Sequence, residues 1–244
     1  LFKEKNYLFI TINTAFVQIA TMTRVFWVLF LQIVLNYSPI KSSLLIVSST
    51  LLTVVLAPLS GVLIDKYGPR SPLRIGMTFL TIGLFWISWW AIYLDPQQLL
   101  FGMILAGIGL AMTGSVSSVA LINVPEEKRG IAYAMYQQIR QFGGVLGVAV
   151  MGAINTNLKS YYFKAKSIQL ALPINKELTG EMILNGPAMV SHELAKLPKN
   201  ISPTIYHTAI MAYANAFRYS MFFAALIALF GLYLSIVKFN KLKY

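Results

Sequence analysis

Apolar positions in this chain come in long runs, separated by short polar breaks. Six runs are long enough to be helical spans, at roughly 7–35, 43–64, 73–94, 99–122, 131–154 and 208–237. Each holds about 20 or more mostly apolar residues, enough to cross about 30 Å of hydrocarbon as a helix. The first four connections are short and each contains a breaker: Ser38-Pro39, Gly68-Pro69, Asp95-Pro96 and Val124-Pro125. Short connections predict antiparallel neighbours. Residues 155–206 read as one long polar connection that carries Pro173, Pro187, Pro198 and Pro203. The expected fold is all-α, a polytopic membrane bundle of six helices.

The polar residues inside the runs are few and ordered. Thr11, Thr14, Gln18, Thr21 and Gln32 form a stripe on the first span, with Arg24 beside it on the face of Asn13. Such a stripe is explained by an interior cavity or by hydrogen bonding between helices. On the fifth span Tyr133, Gln137, Arg140, Gly144 and Gly147 recur every three or four residues and share one face. Gly143 and Gly147 make a small-xxx-small pair that lets backbones approach. Gly107, Ala111, Gly114 and Ser118 do the same on the fourth span. Arg140 lies about 15 Å into its span, counting 1.5 Å per residue from Gly130. A guanidinium at that depth calls for an interior or water-filled setting. It either serves a functional site or bonds the carbonyls of a neighbouring helix.

Composition agrees with the pattern: 57% of residues are hydrophobic and 11% charged, against about 25% charged in soluble domains. The net charge of +12 sits mostly between the apolar runs, where cations set topology. Lys66, Arg70 and Arg74, then Lys128 and Arg129, mark one side, together with Lys3, Lys5, Lys238, Lys241 and Lys243 at the ends. By the positive-inside rule this side is cytoplasmic, and both ends lie there. Lys159, Lys164 and Lys166 fall on the other side and disagree. Phe85, Trp86, Trp89 and Trp90 crowd the outer end of the third span, the depth that Trp favours. No basic helix with interleaved aromatics points to nucleic acid. There is no cysteine, and no His/Glu pair at metal-ligand spacing. The inventory argues against an enzyme and calls for no cofactor.

The most specific string joins spans two and three: Gly61-Val62-Leu63-Ile64-Asp65-Lys66-Tyr67-Gly68-Pro69-Arg70. Gly61 permits close helix approach, Gly68-Pro69 makes a tight turn, and Asp65 suits a cation or a helix N-terminus. The bland alternative is a generic basic turn. The string resembles the cytoplasmic signature of the major facilitator superfamily, with Gly61, Asp65, Lys66, Gly68 and Arg70 in its gating positions. Tyr37-Ser38-Pro39, Val124-Pro125-Glu126-Glu127-Lys128-Arg129-Gly130 and Arg140-Gln141-Phe142-Gly143-Gly144-Val145-Leu146-Gly147 are similar to segments of its fourteen-helix drug/proton antiporters.

The resemblance covers essentially the whole chain and is to the C-terminal half of such a transporter. It implies two inverted three-helix repeats, with spans one and four on a central cavity and two and five against the other half. Spans three and six would face lipid. It implies a substrate cavity that draws on Asn13, Gln18, Thr21, Arg24, Gln32, Gln137 and Arg140, and packing seams at Gly107, Gly114, Gly143, Gly144 and Gly147. The implied partners are a small-molecule substrate, the lipid bilayer of the cell membrane, and an N-terminal half expected to precede Leu1.

All eight acids lie outside the apolar stretches: Glu4, Asp65, Asp95, Glu126, Glu127, Glu177, Glu181 and Glu193. Proton coupling needs an ionisable group within the membrane, so its carboxylate would come from that other half. The expected function is proton-coupled export of drugs or amphipathic metabolites by alternating access. The alternative is a non-transporting membrane protein, a sensor, assembly partner or degenerate remnant, built on the same helices.

Overall fold

The computed structural model describes residues 5–114, 124–169 and 202–237. Within these residues, seven α-helices build six rods: α1 (Lys5–Thr21) continued by α2 (Arg24–Ile33), α3 (Pro39–Tyr67), α4 (Arg70–Trp90), α5 (Pro96–Gly114), α6 (Arg129–Gln169) and α7 (Ser202–Val237). Among the described residues there is no strand.

The helix ends follow from local chemistry. Ser38 is extended and accepts a bond from the Lys41 amide at 3.3 Å, with Pro39 in the first turn. Asp95 Oδ1 accepts from the Gln97 amide at 2.9 Å and starts α5 the same way. Gly68 ends α3 at φ +74°, a conformation that favours glycine. Arg74 reaches across to the other end of the chain, where Nε and Nη2 donate to the Ser235 carbonyl at 3.4 Å and Nη2 also to that of Ile236. A cation there suits the negative end of α7.

The rods pack in a pattern with internal two-fold logic. α1 lies on α6 and α7, while α5 lies on α3 and α4; α4 and α7 lie on each other. Exchanging α1, α3, α4 for α5, α6, α7 maps these contacts onto themselves, as two inverted three-helix repeats require. Bulky apolar residues fill the core along the middle of the bundle, among them Phe30, Met77, Leu80, Leu84 and Phe217. Phe30 stacks on Phe217 with centroids 4.3 Å apart.

Four details differ from the sequence expectation. The first span is broken at Met22-Thr23, where Thr23 Oγ1 bonds the Ala20 carbonyl at 2.6 Å. The fifth helix does not stop near 154 but runs to Gln169, so the long connection expected at 155–206 begins later. Helical propensity and contacts with α7 carry the polar Lys-rich segment along. α7 in turn starts at Ser202, before the expected 208. Five rods are long and apolar enough to cross a membrane. α6, the sixth, is diluted by Gln137, Gln138, Arg140 and Gln141. Residues 115–122 of the fourth span, including Ser118, and residues 170–201 lie outside the described residues.

Candidate substrate cavity

The first half of α6 meets α1 along a glycine seam. A Cβ at Gly147 would stand 2.6 Å from the Ile19 carbonyl oxygen, and one at Gly143 2.9 Å from that of Ala15. Side chains on both helices are thereby brought face to face just beside the seam. Tyr7 Oη donates to the Ala132 carbonyl at 2.8 Å, and the hydroxyls of Thr14 and Tyr136 meet at 3.2 Å. Gly144 faces side chains instead, at 3.4 Å from Met22 and 3.5 Å from Gln18.

Next to this seam is a polar cavity of ≈ 220 Å³. Gln18 and Arg24 line it from the first rod, Thr50 and Thr53 from α3, Thr113 from α5, and Tyr136 and Arg140 from α6. Arg140 Nε donates to Gln18 Oε1 and Nη1 to Gln137 Oε1, both at 3.4 Å. Gln137 Nε2 donates in turn to Tyr133 Oη at 3.2 Å. The two bonds to Arg140 are long, hence weak, and use two of its five N–H donors. The residue is exposed at the cavity mouth, while Gln18 is 8% exposed and Arg24 half-buried. Among the described residues of the membrane rods no carboxylate approaches either arginine. The arrangement can therefore hold an anion, a polar ligand group or water against two guanidiniums.

Several predicted residues fall elsewhere. Asn13 is buried against α7, donating to the Gly231 carbonyl at 2.9 Å, and does not line the cavity. Thr21 is buried and bonds the Gln18 carbonyl at 3.2 Å, so it shapes the helix end beneath the cavity. Gln32 lies fourteen residues beyond Gln18, about 21 Å along the rod at 1.5 Å per residue, on the far side of the break. Gly107 is a packing glycine as expected, with a Cβ position 2.5 Å from the Ser49 carbonyl oxygen. Gly114 is not: a Cβ there meets nothing within 4 Å, and the residue lines the cavity. Gly61 likewise has open space around it rather than a close neighbour. In the same string Asp65 and Lys66 are exposed and Arg70 half-buried.

Sequence reasoning missed Thr50, Thr53, Thr113 and Tyr136. Thr50 and Thr53, three apart on an apolar run, were the available signal for the α3 wall. It also missed a second glycine seam, between α4 and α5. There Gly76, Gly83, Gly102 and Gly109 each face a helix on the other side, at Cβ distances of 2.5–2.7 Å.

Among known proteins, a family model described as Major Facilitator Superfamily matches residues 2–163. The chain belongs to this superfamily. As a superfamily member it is an integral membrane protein of a transporter family. It is 32% identical over 148 residues to the tetracenomycin C resistance and export protein of Streptomyces glaucescens, covering 59% of this chain and 27% of that one. It is 26% identical over 176 residues to the multidrug resistance protein Stp of Mycobacterium tuberculosis, covering 70% and 32%. It is 28% identical over 160 residues to the quinolone resistance protein NorB of Staphylococcus aureus, covering 63% and 34%. The matches thus span about a third or less of the length of these relatives. The fold is similar to a bacterial homologue of the human lysosomal transporter Spinster, crystallised inward-facing and occupied. The TM-score is 0.70 at 17% identity, over 97% of this chain and 49% of that one.

Proposed function

We propose that this chain is the C-terminal half of a secondary active exporter of drugs or amphipathic metabolites, proton-coupled and working by alternating access. The observation that carries this reading is the Arg140–Gln18 contact beside Arg24. It puts loosely held guanidinium groups at the mouth of a polar cavity between helices of the bundle. A purely structural arginine would be expected to spend its donors on short bonds to carbonyls. This one keeps most of them available.

Two further features support the reading. α3 exposes Leu44, Val47, Leu51, Val54, Val55 and Leu59, and α6 exposes Phe142, Val145, Val148 and Val150. These pseudo-equivalent helices offer apolar faces for a second bundle, against which this one would rock. The names of the relatives above are those of export and resistance proteins. Asp65, with no ion pair among the described residues, would find its partner on a helix end of the second bundle and latch the cytoplasmic gate. Both ends of the chain would face the cytoplasm, by the Lys/Arg asymmetry of the short connections.

The gene upstream of Leu1 tests the division into halves. The reading expects roughly six to eight further spans, with at least one acid inside the membrane. A gene encoding these six rods alone would contradict it. Everted vesicles containing the longer protein test coupling. Dye uptake into them should follow an imposed proton gradient and stop on adding a protonophore. Uptake unaffected by the protonophore would remove proton coupling.

A further inference from the structure

A second concavity lies on the outer flank of the bundle, between α4 and α7, away from the polar cavity. It is a groove of ≈ 690 Å³ walled by Phe85, Trp86, Trp89, Trp90, Arg218 and Phe222 among others. Aromatic residues at this depth are common as interface anchors, and the ring count alone says nothing more. Three further observations do.

The first is charge. Arg218 is the one charged residue in the groove wall, and no carboxylate pairs with it among the described residues. Its side-chain neighbours are phenols rather than carboxylates: the Tyr219 ring, 5.9 Å away, and Tyr162, stacked on that ring. The second is an orphaned donor. Trp86 Nε1 is buried and has no acceptor among the described residues, although an indole N–H in such a place ordinarily finds one. The third concerns a neighbouring hydroxyl: Ser88 Oγ donates to the Arg218 carbonyl at 2.9 Å and carries no charge to offset the guanidinium. The groove therefore offers apolar walls, a guanidinium and no counter-charge.

The geometry points to a binding site for one anionic phospholipid, its phosphate on Arg218 and its acyl chains along the aromatic wall. A guanidinium suits phosphate as a planar, paired donor. Phosphatidylcholine carries the same phosphate, but its quaternary ammonium would lie beside the same guanidinium and be repelled by it, so a headgroup with net negative charge is favoured. The end of the bundle that holds Arg218 is also the one that bears Lys164 and Lys166, both exposed on α6. Those cations contradicted the charge asymmetry, and they add to the attraction for an anionic headgroup there. Both walls belong to this chain, so the inference does not rest on the proposed transport function.

Native mass spectrometry of the purified chain, released from detergent with equal phosphatidylglycerol and phosphatidylcholine, tests it. One phosphatidylglycerol should be retained over phosphatidylcholine by about fivefold or more, within the tenfold per 1.4 kcal/mol that affinity arithmetic gives. Arg218→Gln should bring the ratio close to one. Lys41→Gln, which removes an exposed cation at the same end but outside the groove, should leave it unchanged. Trp89 is 61% exposed, so Trp89→Ala is safe for folding, and it should lower retention of both lipids. Equal retention by the unaltered chain, or an undiminished preference in Arg218→Gln, would overturn the proposal. So would displacement of the lipid by millimolar inorganic phosphate, which would assign the arginine to a free anion.

Discussion

At the scale of single residues, the glycines separate into those that hold helices together and those that do not. A methyl at Gly147 would press on the Ile19 backbone carbonyl at 2.6 Å, and backbone cannot yield as a side chain can. Gly147→Ala should therefore force α1 and α6 apart and cost about 1–3 kcal/mol, the range for overpacking. Gly144→Ala meets the Cγ atoms of Met22 and Gln18 at 3.4–3.5 Å, an ordinary contact with flexible side chains, and Gly114→Ala meets nothing within 4 Å. Melting curves in detergent should show a clear drop for Gly147→Ala and little change for the other two. Equal melting of all three would remove the seam. The sequence made the α6 glycines legible because they recur at helical spacing on a face shared with polar residues. It misplaced Gly114, because spacing puts residues on a common face without saying which neighbour that face meets. Asn13 was misplaced for the same reason: the first rod shows polar groups both to α6 and to α7, and periodicity does not distinguish the two.

At the scale of elements, α6 decides how the bundle sits in the membrane. Its 41 residues make a rod about 61 Å long, twice the hydrocarbon thickness. The excess lies after residue 154, where Lys159 is buried at 7% exposure with its ammonium 4.2 Å from the centre of the Tyr213 ring. Burial holds its pKa below the ordinary lysine value. That lysine belongs to the packing of α6 on α7 and is a poor topological marker, which weakens the cluster that disagreed with the charge asymmetry. The native chain has no cysteine, so single-cysteine labelling is clean. Cysteine at Tyr67 should react only with reagent on the cytoplasmic side, and cysteine at Ile168, 80% exposed, only from outside. Labelling of Ile168→Cys from the cytoplasm alone would invert the orientation. Six apolar runs were legible because bilayer thickness sets their length. The extension of α6 was not, because its last residues are held by contacts with α7 rather than by an apolar pattern. Arg74 belongs to the same scale, since it ties α4 to the end of α7. Arg74→Ala should lower the melting temperature by an amount equivalent to about 0.3–1 kcal/mol, the usual value of a cation at a helix C-terminus. An unchanged melting temperature would show the contact to be neutral.

At the scale of the whole molecule, membership of the superfamily and the paired contacts of the two repeats describe one bundle with a polar cavity on its inner side. In the proposed function, transport through it would depend on a second bundle, and Arg140 is where the two accounts of this chain part. A structural arginine would stabilise α6 against α1, and its loss would show as a less stable protein. An arginine that receives substrate or takes part in coupling uses its planar fork, which lysine lacks although it keeps the charge. The deciding measurement is transport by the longer protein carrying Arg140→Lys, normalised to folded protein and read beside a melting curve. The account predicts normal folding and melting with most transport lost. A destabilised variant with full transport per folded molecule would contradict it and return Arg140 to the packing of the bundle.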